Sequence, residues 1–270
     1  MKKISLVFIL AVFAVLGMVA ARNLGSNQTV TPSRNIVTRS VNIGTAIDEI
    51  EVSRVKLIVN IGQPDGMAKV SAPDNLIDQL KFDTDGDELK IRFPSNLNIK
   101  GNARTTVELT VADISEIDAS LSAAVTVKGN VRSNGKIELS ASTSATVSAG
   151  TVSAATCDIE ASTSGCVTVQ NLTVNGKTEI EASTSGSAKI GNLTSGSAEA
   201  EANTSGTIAA NVVSARSAEL EANTSGSIDF KGAAVPTGSA KASTSGSIRC
   251  KIASPTSLRS STGGSVSNDL

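Results

Sequence analysis

The 270-residue chain contains no histidine, no tryptophan and no tyrosine, and only five phenylalanines. The absence of histidine excludes Ser-His triads, histidine general bases and histidine-ligated metals. Because aromatics are nearly absent, the core has to be built from alanine, valine, isoleucine and leucine. Side chains of this size suit a thin, regular stack better than a bulky globular core.

A strong net charge is also missing: the formal value is −1, so nothing indicates a nucleic-acid-binding protein. Three cysteines, Cys157, Cys166 and Cys250, are too few and odd in number for a disulfide framework. We expect them to act as small buried apolar residues. A bridge between Cys157 and Cys166 is the alternative.

Residues 1–21 have the features of a secretory signal peptide. Lys2 and Lys3 precede an apolar run from Ile4 to Leu16, and small residues follow at 19–21. We expect cleavage and export to the periplasm, the cell surface or the medium, with a retained membrane anchor as the alternative. No later apolar run approaches the ~20 residues of a membrane helix. The polar residues 22–35 predict a flexible lead-in.

One stretch recurs through the C-terminal half, and a clear copy is Glu179-Ile-Glu-Ala-Ser-Thr-Ser-Gly-Ser-Ala-Lys-Ile190. Self-similarity at a short fixed period is typical of a solenoid. The successive steps between copies are 22, 20, 21, 20, 20, 20 and 18 residues, and the copies centre on Ala119, Ala141, Ala161, Ala182, Ala202, Ala222, Ala242 and Ser260.

Each copy predicts one coil with three short sides. Residues that can face inward alternate before the central alanine, as in Thr178, Ile180 and Ala182, which is the period of a strand. A Ser/Asn-Thr-Ser-Gly corner, a second short strand and a looser third side follow. We therefore predict an all-β fold in which residues 112–270 form a regular parallel β-solenoid. Antiparallel hairpins joined by Thr-Ser-Gly are the competing topology.

Residues 36–111 contain longer and less regular units, and we predict that they form a β-rich cap over one end of the stack. Val55–Ile61 alternates as a strand does, and Asp83–Gly86 is a hairpin signal. Pro73–Leu80 predicts a helical turn capped by Asp74.

The outward positions of the first strand of each coil are mostly acidic. They lie one and three residues before the central alanine, so a parallel stack arranges them as two columns, and we call this set the acidic ladder. Its predicted members are Glu116, Asp118, Glu138, Asp158, Glu160, Glu179, Glu181, Glu199, Glu201, Glu219 and Glu221.

Carboxylates in adjacent coils would lie ~4.8 Å apart. At about 5 Å, two such charges repel by roughly 0.8 kcal/mol in water and ~3 kcal/mol at an effective dielectric of 20. The acidic ladder is therefore expected to recruit divalent cations, with Ca²⁺ the natural one, or a basic partner. The alternative is a solvated face that keeps the protein soluble and monomeric.

A column of threonines occupies the corners: Thr143, Thr163, Thr184, Thr204, Thr224, Thr244 and Thr262. We expect a hydrogen-bonded ladder of corner hydroxyls; a flat ice-binding array is the alternative. Asn203 and Asn223 begin N-glycosylation patterns that arise from the repeat itself. We expect these two side chains to stack on each other.

The chain resembles the head GIN domain family, a group of exported, adhesin-like proteins common in Bacteroidetes. The resemblance covers roughly residues 36–266. It depends on the strand-rich opening and on serial Ser-Gly-Ser corners, as in Ser185-Gly-Ser187, Ser225-Gly-Ser227 and Ser245-Gly-Ser247. It implies a β-solenoid at the cell surface or in the periplasm.

These observations predict a non-catalytic, adhesin-like binding or structural module of the cell envelope. Its partner would be a protein or a glycan, with no nucleic acid and no cofactor beyond Ca²⁺ on the acidic ladder. The competing function is a carbohydrate-active β-helix enzyme, a polysaccharide lyase or hydrolase. Glu199 and Glu201 offer paired carboxylates for such chemistry. An enzyme should show one cleft with unlike residues, whereas a binding solenoid should show a uniform face.

Overall fold

The computed structural model describes residues 28–270, so the predicted signal peptide and residues 22–27 lie outside the described residues. The described chain is built from β-strands, with a single 3-10 turn at Ile77–Gln79. No helix in this part of the chain is long and apolar enough to cross a membrane.

The N-terminal third contains nine strands. They are β1 (Gln28–Val30), β2 (Ile36–Asn42), β3 (Glu49–Ser53), β4 (Lys56–Ile61), β5 (Met67–Pro73), β6 (Lys81–Asp85), β7 (Glu88–Arg92), β8 (Leu97–Ile99) and β9 (Thr106–Val111).

The repeats form the remaining strands. They are β10 (Glu116–Ser120), β11 (Ala124–Arg132), β12 (Lys136–Ala141), β13 (Thr146–Ala154), β14 (Thr156–Ala161), β15 (Cys166–Ala182), β16 (Ser187–Ala202), β17 (Thr207–Ala222), β18 (Ser227–Gly232), β19 (Val235–Ala242), β20 (Ser247–Cys250), β21 (Ile252–Ser260) and β22 (Ser265–Asn268).

These strands stack in parallel as a solenoid, and the antiparallel alternative for the repeats is wrong. One side, the first face, is the succession β7, β3, β10, β12, β14, the ends of β15, β16 and β17, then β19 and β21. The second face is β9, β4, β11, β13, the starts of β15, β16 and β17, then β18, β20 and β22. A bulged third side closes each coil.

The core consists of small aliphatic side chains that match from coil to coil. Ala210 lies in register between Ile190 and Phe230, so a small residue makes room for the single aromatic of the repeats. The aliphatic residues of the third side, such as Leu172 and Leu193, are buried as well. The alternating pattern therefore identified the inward residues of the repeats.

One polar side chain, Thr178, is fully buried within this core. Its Oγ1 lies 2.9 Å from Ser195 Oγ, which in turn donates to the Ser197 carbonyl at 2.7 Å. The buried hydroxyls are thus mutually hydrogen bonded, which removes most of the penalty of burying them.

At each Thr-Ser-Gly corner the threonine and the serine both adopt left-handed backbone conformations. At the corner formed by Thr204 and Ser205, for example, the φ angles are +47° and +64°. The ladder between corners is formed by the backbone: the Ser185 amide donates to the Thr204 carbonyl at 3.0 Å, and the other corners repeat this bond. The predicted ladder of threonine hydroxyls is wrong, because no corner threonine hydroxyl is hydrogen bonded in the described chain.

The corner glycine follows these two residues and is needed for close approach. A Cβ on Gly206 would lie 2.0 Å from the carbonyl oxygen of Ala182 in the preceding coil. The threonines lie at the turns and not on a flat strand, so the geometry does not favour the ice-binding alternative.

The N-terminal region contains coils as well as a covering layer. Strands β3 and β4 lie in register between the coil of β7 and β9 and the first repeat coil, so chain order and stacking order differ here. The outer layer is antiparallel: β5 pairs with β9 and β2, and β6 pairs with β7 across the predicted hairpin. Parallel pairing of β3 with β10 and of β4 with β11 joins the residues before and after 111. A division into a cap and a solenoid at residue 111 therefore stays a prediction.

Two local expectations in this region need correction. The 3-10 turn starts after Leu76 without a side-chain cap. Asp74 instead accepts hydrogen bonds from Ser33 Oγ and Asn35 Nδ2 and so fixes the lead-in. Within the lead-in, Gln28–Val30 pairs in parallel with β8, so this part is a strand and not a flexible segment.

All three cysteines are free. Cys157 is buried, and burial raises the pKa of its thiol to about 12. Cys166 lies on the second face in an outward position and is half-buried, so only Cys157 and Cys250 fulfil the expected role of buried apolar residues. The alternative of a Cys157–Cys166 bridge is wrong, because the two residues lie on different faces.

Candidate binding face

The eleven predicted acids lie on the outward side of the first face in two columns. In the first column Glu116 is in register with Glu138, and the succession continues through Asp158, Glu179 and Glu199 to Glu219. In the second column lie Asp118, Glu160, Glu181, Glu201 and Glu221, with Ser140 between the first two. The structure therefore brings together every residue that the sequence nominated.

The columns extend beyond the eleven acids that the repeat predicts. Glu49 lies beside Glu116, Glu88 lies beside Glu49, and Glu51 lies beside Asp118. These residues were missed because β3 and β7 have no Thr-Ser-Gly corner and are stacked out of chain order. A signal was present, since Glu49-Ile-Glu-Val52 matches Glu179-Ile-Glu-Ala182.

Basic residues bound the second column at both ends. Lys90 is in register with Glu51 at one end. At the other end Lys241 follows Glu221, and Arg259 follows Lys241. Lys241 lies 2.8 Å from the Glu221 carboxylate, and Lys90 lies 2.7 Å from Glu88. We call the acidic ladder together with Glu49, Glu51 and Glu88 the acidic strip.

Two lysines partly neutralise the first column. Lys136 lies between Glu138 and Asp158 and approaches Asp158 to 2.7 Å. Lys177 bridges Glu179 and Glu199 in the same way, at 2.6 Å from Glu199. Hydrogen bonds to the two carboxylates raise the pKa of each lysine further above its usual range. Both lysines lie five residues before the central alanine of their coil, at a position that is not basic in the other repeats.

Other acids of the strip have no basic partner among the described residues. Burial raises the pKa of Glu116, Asp118 and Glu181, and neighbouring carboxylates raise it further. For Glu181 these neighbours are Glu201 and Glu160 in the adjoining coils. The predicted repulsion between coils is therefore present in the centre of the strip.

Amide side chains supply a second form of compensation. Asn203 donates to Glu201 at 2.5 Å, and Asn223 donates to Glu221 at 2.9 Å. Burial alone would raise the pKa of Glu221, but hydrogen bonds from Asn223 and Lys241 lower it. Each amide thus binds the glutamate two residues before it, and the stacking of Asn203 on Asn223 stays a prediction.

An asparagine ladder does exist, but elsewhere on the solenoid. Asn211 Nδ2 donates to Asn192 Oδ1 at 2.9 Å, and Asn192 Nδ2 donates to Asn171 Oδ1 at 2.8 Å. These residues lie where the second face meets the third side. The repeat gave no clear signal for them, because asparagine occupies this position in only three consecutive coils, with Thr151 before them and Lys231 after them.

Three carboxylates outside the predicted set lie close enough to share one cation. Asp48, Glu49 and Asp87 have oxygens within 4.8 Å of one another, at the edge of the strip. Burial, followed by the charges of Asp87 and Asp48, raises the pKa of Glu49. Across residues 28–270, no comparable group of three is found among the eleven predicted acids.

A cleft with unlike residues was the expected mark of an enzyme. One such hollow, of about 630 Å³, lies at the corner beside Arg54 and is lined by main-chain and side-chain groups of residues 95–103. Among the described residues, those that line this hollow include no carboxylate and no thiol, and the chain contains no histidine. It therefore lacks the paired acids that glycoside hydrolysis uses.

Comparison with known proteins agrees with this architecture. Residues 47–234 match the family described as "putative auto-transporter adhesin, head GIN domain". No curated protein matches the chain.

Several solved structures share the fold. A "putative adhesin" from Parabacteroides merdae superposes with a TM-score of 0.69 at 17% identity, covering 90% of this chain and 99% of that one. A "putative lipid binding protein" from Parabacteroides distasonis gives 0.68 at 18%, covering 90% and 100%. A "putative adhesin" from Bacteroides fragilis gives 0.56 at 15%, covering 88% and 98%. The family match covers well over half of the sequence, and the chain belongs to the head GIN domain family.

Proposed function

We propose that this protein is a non-catalytic, adhesin-like binding module of the cell envelope and that the acidic strip of the first face is its binding surface. The observation that carries the proposal is the repetition of outward-facing, exposed or half-buried carboxylates in register over successive coils. An extended, uniform surface of this kind suits a long or repetitive partner. Family membership supports the adhesin-like role.

The centre of the strip is where a partner would gain most. Glu160, Glu181 and Glu201 follow one another in the second column without an ion pair in the described chain. A basic ligand would remove the repulsion between them, and it would also gain charge-assisted hydrogen bonds. Lysine-rich protein segments and divalent cations are the two chemistries that meet this requirement.

Calcium is the cation that we propose for this surface. Ca²⁺ takes six to eight oxygens in flexible geometry, and carboxylates on neighbouring coils supply several at a suitable spacing. The group formed by Asp48, Glu49 and Asp87 would be the first site to fill, because its oxygens already lie together.

Isothermal titration with CaCl₂, combined with thermal melting, tests this proposal. We expect measurable heat and a higher melting temperature in Ca²⁺, and a loss of both in a variant carrying Glu160→Gln, Glu181→Gln and Glu201→Gln together with Asp87→Asn. Glu108→Gln is the control, since Glu108 lies on β9 of the second face. Absence of heat and of any melting shift would contradict the calcium proposal.

A basic protein partner is tested separately. We expect a lysine-rich peptide such as polylysine to bind the protein, and the apparent affinity to fall steeply with added NaCl. Binding that survives the triple glutamine substitution would show that the acidic strip is not the surface involved.

Export is the remaining part of the proposal, supported by the basic and apolar start of the sequence and by adhesin-family membership. We propose cleavage near residue 21 and exposure at the cell surface. Amino-terminal sequencing of the purified protein and protease treatment of intact cells test both statements. A protein that is fully protected in intact cells would contradict surface exposure.

A further inference from the structure

The corner between the first and second faces is irregular at its N-terminal end, and we call the depression there the corner hollow. In the repeats this corner is Thr-Ser-Gly, whereas the coil of β3 and β4 crosses it with Arg54 and the coil of β10 and β11 crosses it with Leu121 and Ser122. The hollow has a volume of about 630 Å³, and its lining consists of Arg54, Ser95, Asn96, Leu97, Asn98, Ile99, Gly101, Asn102, Ala103, Leu121 and Ser122.

The charge of this region is opposite to that of the acidic strip. A second depression of about 410 Å³ shares Arg54 and Asn102 with the corner hollow and adds Lys56 and Arg104. Neither lining contains a carboxylate. Three cations without an acid among them stand out in a chain whose formal net charge is −1.

Arg54 is the cation that is best placed to meet a ligand. Its Nη1 donates to the Leu97 carbonyl at 3.0 Å, which orients the guanidinium across the loop. Within residues 28–270 this is its one side-chain hydrogen bond, and it forms no ion pair. The half-buried guanidinium therefore keeps donors available, and a planar guanidinium can bind a carboxylate or a sulfate through two parallel hydrogen bonds.

The amides around Arg54 add further donors. The Asn102 Oδ1 atom accepts a hydrogen bond from the Arg104 amide at 2.7 Å, so the side-chain NH₂ group of Asn102 is left to donate. The side chain of Asn96 is exposed and makes no hydrogen bond in the described chain. An anion with several oxygens matches this set of donors.

We propose that the corner hollow binds an acidic saccharide, carboxylated or sulfated, through Arg54 with help from Asn96 and Asn102. Its volume lies in the range of small-ligand sites, about 300–1,000 Å³. A saccharide suits the hollow better than a phospholipid, because the lining is mainly polar and Leu121 is its one exposed large apolar side chain. This site is separate from the acidic strip, so it stands or falls independently of the proposed role of that strip.

Calorimetric titration of the exported protein with oligogalacturonate and with dextran sulfate tests the proposal, with neutral dextran as the uncharged probe. We expect at least one acidic saccharide to bind and neutral dextran not to bind. Arg54→Gln and Asn96→Asp should each weaken binding at least tenfold. Asn96 is exposed, so its variant should fold normally even where Arg54→Gln perturbs the loop.

Arg216→Gln is the matched control, because Arg216 is exposed on the third side of a distant coil and its loss changes the net charge equally. It should change the affinity by less than twofold. Equal weakening by Arg54→Gln and Arg216→Gln would show non-specific charge attraction and overturn the site. Absence of binding to both acidic saccharides would also overturn it. In a parallel titration with phosphatidylglycerol vesicles, binding to the vesicles alone would overturn it as well.

Discussion

The N-terminal coils and the repeat coils reach the same two faces by different means. The repeats use a thin core, as in Ala198, Ala200 and Ala202, and a corner that is nearly identical in each coil. The N-terminal coils use larger side chains, such as Leu57 and Leu89, and dissimilar corners. Register of the strands, and not identity of the coils, is therefore what aligns the outward carboxylates. Substitutions in both regions test this contrast.

The largest effect is expected from the thick core of the N-terminal coils. Leu57 is fully buried and lies in register between Val107 and Val125. Leu57→Ala should lower the free energy of unfolding by about 2–5 kcal/mol through lost burial and a residual cavity. Urea denaturation measures this change. Leu121→Ala, at a side chain that is 43% exposed, should have a much smaller effect, and equal losses would contradict the buried assignment.

Next comes the close approach at the repeat corners. Gly206→Ala places a methyl group against the Ala182 carbonyl and should cost about 1–3 kcal/mol by overpacking. Gly150→Ala is the control, since nothing lies within 4 Å of a Cβ at that position. The difference between their denaturation midpoints is the measurement, and a fully stable Gly206→Ala protein would refute the need for glycine there.

Removing a lysine from the acidic strip should have a smaller effect. Lys177→Gln leaves Glu179 and Glu199 without their shared cation. Because the ion pairs are exposed, we expect a loss of only about 0.3–1 kcal/mol that shrinks as NaCl is added. Lys189→Gln on the second face is the control. A loss that does not depend on salt would point to lost packing of the lysine stem instead.

The smallest expected effect is a pH-dependent change in melting temperature. The pKa of Asp118 is raised in the folded protein by burial and by Glu51 and Glu160, so its ionised form destabilises the fold. This penalty is present above the folded pKa and is relieved as the pH falls through it, because the folded state then binds the extra proton. Asp118→Asn should therefore raise the melting temperature slightly at pH 7, and the gain should shrink as the pH falls through the raised pKa of Asp118 in the folded protein. Glu221→Gln should instead lower the melting temperature at neutral pH, because the lowered pKa of Glu221 means that its ionised form stabilises the folded protein.

Much of the repeat region could be predicted from sequence, because each signal is local and recurs. The alternation around Ile180 gives the strand, and the following Thr-Ser-Gly gives the corner. The positions of Glu179 and Glu181 before the central alanine then give the two columns. The family resemblance pointed to the same fold.

The rest depends on contacts between segments that are distant in the chain. Nothing local to Glu49 or Glu88 indicates that β3 lies between β7 and β10. The bridging roles of Lys136 and Lys177 follow from side chains that span two coils. The corner hollow forms only because residues 95–103 return to Arg54. Periodicity carries no information about such returns.

The backbone ladder at the corners makes coil number an easily changed property of this protein. Each corner offers a serine amide to the next corner and accepts one from the corner before, so the corner of one coil fits the corner of another. Duplication of a unit such as residues 203–222 would insert a coil whose ends already fit. Each insertion would lengthen the acidic strip by one rung and leave the corner hollow unchanged. The reach of the strip and the chemistry of the hollow can thus vary independently.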